Sequence, residues 1–218
     1  MSYTNNLMET LICLFTIKNG IFQILLLRKK SDPYKGYWIL PGNILLDNET
    51  LEQNVEGITQ TKIGLKTIYK KQCYTFSNIN RYPNKRVLAV AYIGLIDSSS
   101  ILLKMQEIPG IEKKWFNINE LPKLGYDHEI IVKKCIERLQ YLMREPDIFI
   151  KLFPSDFTLP ELQKVYEQIL NKKLDRRNFR KKIINLNLIE DTGYKNEIGN
   201  GRPAKLYRFK ETFIKQLN

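Results

Sequence analysis

The sequence contains a single histidine, His128, and three cysteines, Cys13, Cys73 and Cys135, no two of them spaced as a metal-ligand or redox pair. This excludes a Cys/His zinc module and a disulfide framework, and suits reduced, buried thiols in a cytoplasmic protein. No apolar run approaches the length of a membrane span. The N-terminus has no basic segment ahead of its apolar stretch, so no signal peptide is expected. Internal repeats and low-complexity tracts are also lacking. Acidic residues are in deficit: 23 Asp+Glu stand against 35 Lys+Arg, a net charge of +12 over 218 residues.

The excess charge is uneven. Residues 151–218 hold 15 Lys+Arg and 8 Asp+Glu, net +7, whereas residues 1–150 hold 20 and 15, net +5. The density of positive charge is about threefold higher in the last third, which favours a localised polyanion-binding domain over a uniformly basic surface. An apolar share of 43% is ordinary for a globular chain and allows one large domain or two small ones.

Apolar runs at Leu11–Ile17 and Phe22–Leu27 flank Asn19-Gly20, a hairpin signal. Thr50 precedes Leu51, Val55 and Ile58 at helical spacing, which predicts a capped helix from Leu51 to Ile63 ended by Gly64. Gly57 inside it costs about 1 kcal/mol relative to Ala. Strands are expected at Ile68–Phe76, at Val87–Ile96 (apolar enough to be central) and at Trp115-Phe116; Ile131, Cys135, Leu139 and Leu142 mark an amphipathic helix. Residues 1–146 therefore read as an α/β layered domain. Pro146 and Pro154 bracket an expected linker. Beyond it, Leu162, Val165, Ile169 and Leu170 mark a helix, Asn171-Lys172-Lys173 a turn, and Asp175 the cap of a second helix carrying Phe179, Ile183 and Leu186. Apolar Leu188-Ile189 and Leu206–Phe209 then flank a polar, Gly-containing stretch. Helix, short turn, helix, hairpin is the layout of a winged helix–turn–helix over residues 147–218.

The second helix of that pair carries Arg176, Arg177, Asn178, Arg180, Lys181 and Lys182, five cations within seven residues. A solvated basic face would account for this alone, but Gly201-Arg202-Pro203-Ala204-Lys205 adds a basic wing beside it. Arg can grip guanine and Asn adenine in the major groove, while wing cations suit phosphate or the minor groove. The candidate DNA-binding set is Arg176, Arg177, Asn178, Arg180, Lys181, Arg202 and Lys205.

In the N-terminal half, Trp38-Ile39-Leu40-Pro41-Gly42 leads into a segment that resembles the Nudix box, G-x5-E-x7-R-E-U-x-E-E-x-G-U, of nucleoside-diphosphate-X hydrolases. Aligned without gaps, the box places its first Gly on Asn43, its first Glu on Glu49, its Arg-Glu on Gly57 and Ile58, its Glu-Glu on Thr61 and Lys62, and its last Gly on Gly64. Nudix hydrolysis uses carboxylates on one helix face to hold Mg²⁺ or Mn²⁺ against a diphosphate. Here three of the four Glu positions hold Ile58, Thr61 and Lys62, and Glu56, two residues out of register, points away. The expectation is therefore no catalytic residue, no bound metal and no cofactor.

Taken together the chain resembles the NrtR family of Nudix-related transcriptional regulators over nearly its whole length. The resemblance is carried by Phe157–Glu167, Leu174–Lys182 and Gly201–Phe209, and also by Arg81–Val87, Trp115-Phe116 and Tyr126-Asp127-His128. It implies a Nudix α/β/α sandwich followed by a winged helix–turn–helix, and a homodimeric repressor on a palindromic double-stranded operator. It also implies an effector such as ADP-ribose or a related nucleotide, and control of NAD metabolism. Relatives of the same architecture sense sugars, so a sugar effector is the alternative. An active Nudix hydrolase, and a protein that binds RNA or nucleotides non-specifically through its basic C-terminal domain, are further readings, weakened by the lost glutamates and by the compact wing and helix pattern respectively. Arg81 and Arg86, near the start of an expected central strand, are candidates to meet a diphosphate, with exposed loop cations as the bland reading.

Overall fold

The computed structural model describes residues 6–143, 147–153, 156–196 and 203–210. It is organised around the apolar run near the N-terminus. Strand β1 (Leu7–Lys18) turns through Asn19 and Gly20, with φ of 53° and 67°, into β2 (Ile21–Arg28). Two successive left-handed residues match the right-handed twist of the flanking strands, which explains the Asn-Gly pair. Short strands β3 (Trp38–Ile39) and β4 (Gly42–Ile44) follow, then β5 (Tyr69–Phe76), β6 (Val87–Leu95) and β7 (Lys113–Asn117). The seven form one mixed sheet in the order β3-β2-β1-β6-β5, with β4 also paired to β1 and β7 to β2. β1 runs parallel to β6 from Leu7↔Val87 to Phe15↔Leu95. As the sequence predicts, β6 is interior, flanked by β1 and β5.

Helices cover both faces. Side chains alternate along a strand, so Leu11, Cys13, Phe15 and Ile17 of β1 enter one core while Ile12 and Leu14 enter another. The second core is closed by α1 (Leu51–Ile58), through Val55 and Ile58. The first is closed by α3 (His128–Leu142), through Ile131, Cys135, Leu139 and Leu142. A short α2 (Ser98–Lys104), capped by Asp97, lies in the connection from β6 to β7, where no helix is expected from the sequence. Its seven residues are too few for a helical period to emerge.

The helix begun at Thr50 runs to Ile63 as expected, but its last five residues, Thr59–Ile63, form a π-helical turn. Thr50 and Gln53 close a reciprocal capping box at its start. Gly64, with φ of 89°, ends it, and a Cβ there would lie 2.1 Å from the carbonyl oxygen of Gln106.

The expected linker is corrected. Residues Asp147–Leu152 form α4, whose Ile148 and Leu152 are fully buried, followed by buried Phe153. α4 packs on β1 and β6, so it belongs to the core of the sheet that precedes it. The flanking Pro146 and Pro154 lie outside the described residues. The winged unit then comprises β8 (Phe157–Thr158), α5 (Leu159–Leu170), α6 (Arg176–Asn185), β9 (Ile189–Asn196) and β10 (Ala204–Phe209), with strands ordered β8-β10-β9. Thr158 and Glu161 form the capping box of α5, and the Asp175 side chain accepts the Asn178 N–H to start α6. One continuous apolar cluster runs from β1 through α3 and α4 to Leu162, Phe179, Ile183 and Phe209.

The cysteines, distant in sequence, converge. Cys135 of α3 lies against Cys13 of β1 and Cys73 of β5; Cys135 and burial raise the Cys73 pKa, while Cys13 and burial raise that of Cys135, opposed by Cys73. Cys13 and Cys135 are buried and Cys73 is half-buried. Among the described residues no helix is long and apolar enough to cross a membrane.

Candidate functional site

Two regions collect the residues singled out by the sequence. In the first, the segment aligned with the Nudix box folds as strand β4, a loop and helix α1. β4 lies so close to β1 that a Cβ on Gly42 would meet Leu11 Cδ2 at 2.3 Å and the Thr10 carbonyl at 2.8 Å, which requires glycine. Glu49 is turned back onto its own loop: its Oε1 accepts from the Leu46 N–H at 2.7 Å and from Asn54 Nδ2 at 2.6 Å. Asn54 is buried, donates to the Ile44 carbonyl and accepts from Thr10 Oγ1. Ile58 is 1% exposed and belongs to the core. Thr61 donates to the Gly57 carbonyl. Glu56 pairs with Lys70 of β5 at 2.6 Å, and Tyr92 donates to Glu52 at 3.5 Å.

Lys62 reaches from the π-helical turn to β4, where Nζ donates to the Gly42 carbonyl and to Asn43 Oδ1. π-turns inside helices recur at functional sites, and here Lys62 lies within the turn itself. Burial lowers the Lys62 pKa, opposed by the Glu9 carboxylate and assisted by Lys29.

Next to it stands a buried ion triad. Arg81, 4% exposed, gives Nε and Nη2 to the two oxygens of Asp127 at 3.0 Å each, and Nη1 to Glu9 at 2.8 Å and to the Val87 carbonyl at 3.3 Å. Burial raises the Glu9 pKa, with Arg81 pulling it the other way. Arg81 is thus neither an exposed loop cation nor an uncommitted one: two carboxylates already balance its charge. It forms part of the wall of a cleft of about 400 Å³ with Asp127, Asn78 and Asn80. Arg86 is different. Its Nη1 is buried without a hydrogen-bond partner, and the residue lines a neighbouring cleft of about 450 Å³ with Asn80, Tyr82 and Lys85.

Three loops bring Tyr34, Tyr82 and Tyr126 into one aromatic cluster. Tyr82 and Tyr126 stack at 4.7 Å, and Tyr34 lies 4.6 Å from Tyr126. Tyr34 and Tyr126 both have left-handed backbones, with φ of 67° and 57°, a conformation disfavoured by about 1–2 kcal/mol for a side chain with a Cβ. Neighbours fix Tyr126: the Gly125 N–H donates to the Trp38 carbonyl, Asp127 is held by Arg81, and His128 Nδ1 accepts from the Leu40 N–H at 2.9 Å. His128 is fully enclosed, and burial with the nearby Arg81 charge lowers its pKa to about 3. Sequence alone gives no reason to group these tyrosines, which come from loops without a period.

The second region is α6. Phe179 and Ile183 point into the winged unit. At 3.6 residues per turn, Arg177 and Lys181 face the opposite side, with Asn178 on one flank and Arg176 and Arg180 on the other. All five are exposed. On the wing, Lys205 of β10 pairs with Asp191 of β9 at 2.6 Å. Arg202 lies outside the described residues.

The two regions are joined. The side-chain amide of Gln168 on α5 bonds Gly20 and Phe22 of the first hairpin, and Gln140 Nε2 of α3 donates to the Ile169 carbonyl at 2.8 Å.

Residues 149–209 match the family model described as the NrtR DNA-binding winged helix domain. The ADPR responsive transcriptional repressor NtrR of Acinetobacter baylyi is 32% identical over 213 residues, covering 95% of this chain and 83% of that protein. The crystal structure of Shewanella oneidensis NrtR complexed with a 27mer DNA superposes with a TM-score of 0.75 at 29% identity, covering 93% of each chain. The Nudix domain of that protein complexed with ADP ribose matches 63% of this chain and 90% of its own length, at 26% identity and a TM-score of 0.55. With an exposed cationic helix on a winged unit, a Nudix-type sandwich before it and a relative of this identity along nearly its whole length, the chain belongs to the NrtR family of Nudix-related transcriptional regulators.

Proposed function

We propose that this protein is a DNA-binding transcriptional repressor whose N-terminal domain takes ADP-ribose or a closely related nucleotide as its effector. In this reading it controls genes of NAD metabolism in the cytoplasm and does not hydrolyse the ligand. The observation that carries the reading is the end-to-end similarity, through both domains, to a repressor named as ADPR-responsive. Residues 1–146 form the sensing unit and residues 147–218 the DNA-binding unit, with α4, the first element after the boundary, packed in the sensing unit's core. Two chains bind a palindromic operator, because one short helix reads too few bases to be selective.

Arg177 and Lys181 enter the major groove, with Arg176, Asn178 and Arg180 at the flanks, and Lys205 and Arg202 grip the backbone from the wing. For Lys205 this means exchanging Asp191 for a phosphate. In the sensing unit, Arg86 is the better placed of the two arginines for an anionic group, since a buried guanidinium nitrogen without a partner is costly until one arrives. Arg81 contributes by holding its loop against Glu9 and Asp127. Absence of hydrolysis rests on Ile58, Thr61 and Lys62 standing at the motif's glutamate positions.

The test uses a duplex selected from random sequence by the protein. ADP-ribose should release that duplex while free pentoses and hexoses do not; release by a sugar alone would replace the nucleotide reading with the sugar-responsive one.

A further inference from the structure

The Nudix resemblance implies a divalent ion on the face of α1, and the side chains present there do not fit one. Ile58 is in the core, Glu49 is tied to its own loop, Glu56 pairs with Lys70, and Lys62 brings an ammonium to the carbonyl of Gly42. Among the described residues no group of three or more His, Cys, Asp or Glu side chains converges as a metal would need.

The ammonium is built in rather than incidental. A lysine has three N–H donors. Gly42 and Asn43 take two of them and fix Nζ against β4, and the third has no acceptor among the described residues. Lys62 feels Glu9 and Lys29, and Glu9 in turn feels Arg81 and Asp127, a set of three cationic and two acidic side chains. Tyr126 of the tyrosine cluster, whose left-handed backbone is pinned, lies within electrostatic reach of the same Glu9 carboxylate. A fixed cation and an aromatic platform that share one neighbouring carboxylate, Glu9, supply the chemistry that recognises a nucleoside diphosphate, with the charge on the phosphates and the rings on a planar base.

We propose that Lys62 replaces the divalent ion: its ammonium is the fixed cation on which the diphosphate of the effector docks, so effector binding needs no metal. This rests on the reading that the N-terminal domain takes an ADP-ribose-type ligand, and it deepens that reading by adding to Arg86 a second cation, Lys62, which takes the place of the metal at the diphosphate.

The experiment is calorimetric titration of the full chain with ADP-ribose, ADP and adenosine, each in excess EDTA and in millimolar Mg²⁺. For the wild type, ADP-ribose and ADP should bind with affinities that agree within about twofold in the two buffers. Lys62→Gln should weaken both diphosphates by about tenfold or more, as loss of a charged hydrogen bond does, without changing the response to adenosine, and Lys62→Arg should retain part of the affinity. Thermal melts establish that each variant is folded; if Lys62→Gln is not, Lys62→Arg and Asn43→Ala, which removes one anchor of Nζ, carry the test. Wild-type binding of ADP-ribose only with Mg²⁺ overturns the role of Lys62 and leaves the effector reading standing. No ADP-ribose binding, but Lys62-dependent ADP binding in EDTA, overturns the effector and leaves the docking role. Binding of neither diphosphate, or a Lys62→Gln protein that binds as the wild type does, overturns the proposal.

Discussion

Gln168 of α5 holds Phe22 of β2 by its backbone: Gln168 Oε1 accepts the Phe22 N–H at 2.9 Å, while its Nε2 donates to the adjacent Gly20 carbonyl at 2.7 Å. A single amide thereby ties the winged unit to the tip of the first hairpin. Replacing it with Leu removes both bonds and leaves a part-buried N–H and carbonyl without protein partners, at a cost of about 1–3 kcal/mol. Urea unfolding of Gln168→Leu against wild type should show that loss, and unchanged stability would mean water satisfies both groups.

The triad of Arg81, Glu9 and Asp127 should behave as a buried ion network. Arg81→Met strands two largely buried carboxylates, so a loss of about 3–5 kcal/mol is expected, as when one partner of a buried pair is removed. The triple replacement Glu9→Gln, Arg81→Met, Asp127→Asn should recover much of it. Denaturation midpoints of the two variants measure the difference directly.

His128 gives a pH dependence of known sign. Its folded pKa is about 3, lowered by burial from 6.5, so between these values the unfolded chain binds the proton and the folded chain does not. Its contribution is therefore fully present above pH 6.5 and falls as the pH drops toward 3, by at most about 1.4 kcal/mol per pH unit. Glu9, whose pKa is raised, acts in the opposite direction at the acidic end. The difference in stability between wild type and His128→Gln, followed from pH 7 downward, isolates the histidine; a constant difference would mean the imidazole takes up its proton while folded.

Helix and wing should separate in their response to DNA sequence and salt. Arg177→Ala is expected to cost roughly 1–3 kcal/mol on the selected duplex and to relax preference at one position. Lys205→Ala should weaken all sequences alike and flatten the log–log salt dependence by about one unit. Equal losses on selected and scrambled DNA for Arg177→Ala would show that Arg177 does not read bases.

What was legible in the sequence was local. Asn19-Gly20 marked its hairpin, Thr50 and Gly64 the ends of a helix, and Asp175 the start of α6, because each acts on backbone a few residues away. The candidate DNA-binding helix was legible for the same reason: its cations and its buried Phe179 and Ile183 repeat with the helical period. Non-local features were not. Arg81 meets partners 46 and 72 residues distant, so a loop arginine became a core ion. α4 falls where a linker is expected because the seven residues between Pro146 and Pro154 show no period, and its burial comes from β1 and β6. The π-turn that carries Lys62 ends where the chain meets β4 and Gln106, contacts that no spacing rule reports.

The central claim is that one chain couples intact ADP-ribose to release of DNA. The direct measurement is fluorescence anisotropy of the selected duplex bound to the full chain, titrated with ADP-ribose in Mg²⁺, with the nucleotide recovered afterwards and resolved by chromatography. The account predicts that anisotropy falls to that of free DNA while the ADP-ribose is recovered unchanged. DNA that stays bound at saturating ligand, or recovery of the nucleotide as AMP and ribose 5-phosphate, would contradict it.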